Sequence, residues 1–82
     1  MNEFPTSRQL EIVRAVVAMR HEGRYAPTTG AIATRLEVTD RGARMQLESL
    51  ERKGILSCSR GARNNRTMWE VTALGQTWLD AL

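Results

Sequence analysis

The sequence predicts a mainly helical α+β domain: a three-helix core, one small β-hairpin and a closing helix. Three observations carry this prediction. Apolar residues recur at helical spacing in four stretches, each preceded by a threonine or serine able to cap a helix. Two short runs, 55–59 and 67–71, flank a loop made of Arg, Gly, Ala and Asn, which is the pattern of a hairpin. Finally, 82 residues with 41% hydrophobic content are too few for two independent cores, so one domain over 1–82 is expected.

Thr6 or Ser7 caps the first helix, whose stripe of Leu10, Ile12, Val13, Val16 and Val17 continues toward Met19 or Arg20. Phe4, just before the cap, is placed to staple onto the first turn. Gly23 is expected to end the helix with a positive φ. Pro27 keeps its predecessor extended, and Thr28 caps a second helix that buries Ile32, Ala33 and Leu36. A tight turn, Glu37-Val38-Thr39, follows, with Val38 anchored in the core and Thr39 capping the third helix over 40–53, which Gly54 closes. Ala43, Leu47 and Leu50 share one face of that helix, while Arg41, Arg44, Met45, Glu48 and Arg52 share the other. Thr67, Trp69 and Val71 alternate onto one side of the second strand. Thr72 caps the last helix, where Leu74, Trp78 and Leu82 recur at intervals of four.

Net charge is only +3, and its distribution says more than its size. Residues 55–66 contain three arginines and no acid, whereas 67–82 contain two acids and no base. The positive charge therefore concentrates in the middle of the chain and in the hairpin loop, which suits an anionic partner.

The order of capped helix, tight turn, arginine-studded helix and basic hairpin resembles the winged helix-turn-helix of bacterial and phage regulators. The segment YAPTTGAIATRL is similar to the corresponding helix of LexA-type repressors. VTDRGARMQLESLERKGIL resembles the recognition helix of GntR- and MarR-type regulators, and WEVTALGQTWL the segment that closes many MarR-like domains. The resemblance covers residues 6–82 and implies sequence-specific binding of double-stranded DNA by a transcriptional regulator, with repression by occlusion of a promoter. Two copies on a repeated half-site would raise affinity by effective concentration, so a homodimer is expected. Trp78, Leu82 and parts of the first helix are its expected interface, although packing within the chain explains Trp78 and Leu82 equally well. No effector or protease domain fits in this length, so no small-molecule effector is expected.

On this reading Arg41, Arg44, Met45 and Glu48 face bases in the major groove, where arginine pairs with guanine, methionine meets a thymine methyl and glutamate accepts from cytosine. Glu48 is alternatively placed to pair with Arg44 or Arg52 one turn away. Thr28, Thr29, Arg35, Thr39, Gly42 and Arg52 are the candidates for backbone contact. Arg60, Arg63, Asn64, Asn65 and Arg66 form the wing, on phosphates or in the minor groove. An architectural or excisionase-like recombination factor is the alternative, and a protein-interaction module a weaker one.

No paired carboxylates, metal-ligand cluster, phosphate-binding glycine loop or nucleophile–base arrangement is evident, so neither catalysis nor a cofactor is expected. His21 suits the end of the first helix better than a catalytic role. Cys58, the single cysteine, is expected as a half-buried small hydrophobe. The sequence contains neither a membrane-spanning apolar run nor a signal peptide, giving a cytoplasmic, nucleoid-associated expectation.

Overall fold

The computed structural model describes residues 6–23, 25–61 and 66–81. The elements run α1 (Ser7–Glu22), α2 (Thr29–Leu36), α3 (Asp40–Arg52), β1 (Leu56–Arg60), β2 (Thr67–Val71) and α4 (Ala73–Asp80). Each helix starts at a threonine. Thr6, Thr28, Thr39 and Thr72 accept a hydrogen bond from the backbone N–H three residues on, satisfying a donor the helix cannot reach. Thr6 goes further: the Gln9 side chain bonds back to its N–H, completing a capping box. Phe4 lies outside the described residues.

The core is the meeting of all three N-terminal helices with the hairpin. Ile12, Val13 and Val16 from α1, Ile32 and Ala33 from α2, and Ala43, Leu47 and Leu50 from α3 close over Ile55, Leu56 and Trp69. Leu10 and Val17 sit only half-buried beside this face, so the true stripe of α1 is centred on 9, 12, 13 and 16. The amide of Gln9 occupies the polar end of that stripe. It donates to Gln46 and Ser49 of α3 and accepts from Lys53, at 3.0–3.1 Å, so its burial leaves no polar atom stranded.

Gly23 departs from expectation. Its φ is −111°, an extended conformation, with its N–H bonded to the Met19 carbonyl. Among the described residues the left-handed positions are instead Glu37 (φ 58°) and Gly54 (φ 81°). Both end helices in the same way: the following N–H reaches back five residues, Val38 to Ala33 and Ile55 to Leu50. At the first, a glutamate occupies a conformation that glycine adopts without steric cost.

β1 and β2 pair antiparallel, with Leu56 opposite Val71, Cys58 opposite Trp69 and Arg60 opposite Thr67. The first strand starts one residue later than predicted and runs through Arg60. A single antiparallel bridge between Thr28 and Met68 ties the start of α2 to β2, and the Trp69 N–H bonds to the Pro27 carbonyl beside it.

α4 packs through Trp78 of the four-residue repeat but not through Leu74. Gly75, Trp78 and Leu79 turn inward, whereas Leu74 is 57% exposed. Gly75 explains why: a Cβ there would collide with the Ile55 carbonyl, so the first turn of α4 lies directly on the chain leaving α3. Cys58 is also corrected. It is exposed, because β1 leaves the core after Leu56 and its outer half stays at the surface.

Candidate nucleic-acid interface

α3 presents two faces with no residue in common. Opposite Ala43, Leu47 and Leu50, the side chains of Arg41, Arg44, Met45, Glu48 and Arg52 all lie exposed, within an arc of about 100° on an ideal helix. Met45 is 62% exposed, an apolar side chain that its own chain does not cover. Among the described residues, Arg41, Arg44 and Arg52 have no carboxylate at ion-pair distance, and Glu48 makes neither of its anticipated i,i+4 pairs.

Beside the first turn of α3 lies a cleft of about 430 Å³ bordered by Thr28, Thr29, Gly30, Asp40, Arg44, Arg66 and Thr67. It gathers the start of α2, the start of α3 and the base of the hairpin into one concavity. The N-termini of α2 and α3 each carry amides without intrahelical partners, a feature that favours an anion. Gly61 donates its N–H to the Arg66 carbonyl and closes the base of the wing. Arg63, Asn64 and Asn65 lie outside the described residues, as does Leu82.

Three of the candidate backbone residues are engaged within the chain or lie off the outer stripe of α3. The Thr29 side chain is turned inward, its hydroxyl accepting from the buried Trp69 indole at 2.8 Å. Arg35 sits in the last turn of α2 and grips Glu22 through two bonds of 2.6 and 3.1 Å. That pair holds the Glu22 carboxyl below its ordinary range and the Arg35 guanidinium above its own. Gly42 lies on the flank of α3 toward α1, bordering an apolar groove with Ile12, Leu36 and Val38. Its lack of a side chain leaves room for the cap, since a Cβ would stand 3.1 Å from the Thr39 hydroxyl. Thr28 and Thr39 stay at the surface, each with its hydroxyl engaged as a cap.

A capped helix, a turn of three residues, an outward-reading helix and a two-stranded wing form a winged helix-turn-helix. The family model of the LexA DNA-binding domain matches residues 2–64. The chain belongs to that family.

Solved structures agree on the fold of this LexA-family domain. The MepR–DNA complex of S. aureus superposes with a TM-score of 0.86 at 24% identity, over 95% of this chain and 55% of that one. A point mutant of Lactococcus lactis ZitR gives 0.79 at 17% identity, over 99% and 52%. A second ZitR structure, of a zinc-responsive MarR family member, gives 0.76 at 20% identity, over 94% and 50%. The chain thus spans about half the length of these regulators. No curated protein matches its sequence.

Two features of this LexA-family domain escaped the sequence reading. Asp40 borders the cleft beside Arg44, although its position alone marks it only as a favourable first residue of a helix. Cys58 donates its thiol to Glu51 at 3.1 Å, and that bond raises its pKa and keeps the sulfur protonated. Trp78, offered as an interface residue, is half-buried and packs against the core of its own chain. Among the described residues no helix is long and apolar enough to cross a membrane, and no group of three or more His, Cys, Asp or Glu could hold a metal ion.

Proposed function

We propose that this domain binds double-stranded DNA sequence-specifically and acts as a transcriptional repressor by occluding a promoter. α3 enters the major groove, where Arg41 and Arg44 pair with guanine, Met45 meets a thymine methyl and Glu48 accepts from cytosine. Arg52, three turns along the same stripe, reaches the backbone, as do Thr28 and Thr39 at the helix starts. The wing, with Arg60, Arg63, Asn64, Asn65 and Arg66, follows the phosphates or the adjacent minor groove. Two copies on a repeated half-site bind as a homodimer, which raises affinity by effective concentration. No small-molecule effector or cofactor enters this mechanism, and the protein works in the cytoplasm at the nucleoid.

One observation carries the reading: Arg44 of α3 and Arg66 at the base of the wing border one cleft, which supports helix and wing meeting a common ligand. The fold shared with MepR, solved as a DNA complex, supports the same docking. Selection of bound duplexes from a random pool tests it. Enrichment of a repeated half-site of about four to six base pairs, about one or two helical turns apart, is expected. Recovery of sequences no different from the input pool would overturn sequence specificity.

A further inference from the structure

Within the cationic cleft sits one carboxylate. Asp40 is the first residue of α3, directly after the Thr39 cap. A Cβ built on Gly30 would lie 4.0 Å from Asp40 Oδ2, so this oxygen looks across the cleft at the first turn of α2. Arg44, one turn further along α3, borders the same cleft without closing an ion pair onto Asp40. The oxygen therefore occupies ground that the α2 amides, Arg44 and Arg66 make attractive to any anion.

We propose that Asp40 is a built-in phosphate mimic, which weakens the grip of the cleft on the nucleic-acid backbone. The inference rests on the DNA-binding reading and adds a brake to it. A phosphate entering the cleft meets two arginines and two helix starts, but also a fixed negative charge. Its net attraction is reduced in every complex, whatever the base sequence. The domain accordingly leaves non-cognate DNA quickly and depends on the base contacts of α3 for residence. An unopposed cleft would hold any duplex.

Asp40→Asn removes the charge and keeps the shape. Affinity for a random duplex and for a selected one is expected to rise together by about three- to tenfold at low salt. The slope of log K against log salt should steepen by up to about 0.9, as for one additional phosphate contact. Asp80→Asn changes net charge equally at the end of α4, away from the cleft, and should alter both affinities by less than about twofold. Asp40→Glu should remain close to the wild type. Thermal melts of each variant separate a change of fold from a change of binding.

Unchanged or weaker binding by Asp40→Asn would overturn the proposal, as would an equal gain from Asp80→Asn. A loss confined to the selected duplex would make Asp40 a base acceptor instead, which also overturns it. If the wild type holds no duplex and Asp40→Asn does, the brake stands and is stronger than expected. If neither holds one, both the brake and the DNA-binding reading fall, whereas duplex binding by the wild type without a gain in the variant removes the brake alone.

Discussion

Arg8, Arg20 and Arg35 each face a carboxylate of their own chain, Glu11, Glu70 and Glu22, whereas Arg41, Arg44 and Arg52 on α3 face none among the described residues. The contrast does not come from a lack of acids on α3, which carries Asp40, Glu48 and Glu51. Glu51 is drawn sideways to Cys58, Asp40 turns to the cleft, and Glu48 lies exposed on the outer stripe. Counting charges therefore says little about where an anion binds. What matters is which cations keep their field uncompensated, and α3 gathers three of them, Arg41, Arg44 and Arg52, on one exposed stripe.

Substitutions on the two groups separate them. The largest effect is expected at Arg44. Arg44→Ala should cost about 1–3 kcal/mol on the selected duplex and markedly less on random DNA, measured by fluorescence anisotropy. Equal losses on both would reassign Arg44 to the backbone. Thr29→Val tests whether this cleft residue serves the core or the ligand. It strands the buried Trp69 indole N–H and should lower unfolding free energy by about 1–3 kcal/mol in a urea titration, with duplex affinity retained below the transition. Undiminished stability with weakened binding would return Thr29 to the interface.

Arg66→Ala should weaken all duplexes alike, by a few-fold, and reduce the salt slope by about 1. Any sequence preference in that loss would place Arg66 on a base. The smallest effect belongs to the paired group: Arg35→Ala should leave duplex affinity within about twofold near physiological salt. Its trace is in pH instead. Because the Arg35 bond lowers the Glu22 pKa, the pair adds stability above the ordinary carboxylate range and loses it as pH falls through the lowered value. The melting-temperature difference between wild type and variant should accordingly be small at neutral pH and vanish in acid. A difference that grows in acid would contradict the pairing.

Local chemistry was legible in the sequence. The capping threonines, the Gly54 helix end, the two faces of α3 and the pairing of 67–71 with the preceding run each depend on residues within a turn or two, where hydroxyl geometry and periodicity decide. The resemblance to LexA-type repressors likewise rests on contiguous segments. Those features specify the fold and the helix that faces outward.

What the sequence did not show are partners far apart in the chain. Thr29 meets Trp69 forty residues on, Arg20 meets Glu70 fifty away, and Gly75 rests on the Ile55 carbonyl. A threonine or arginine viewed in its own helix gives no sign of such a neighbour. Only the packing of α1, α2 and the hairpin around one core chose which polar groups were engaged internally and left the arginines of α3 facing out, because ion pairs and close contacts depend on distance in space, which sequence separation does not encode.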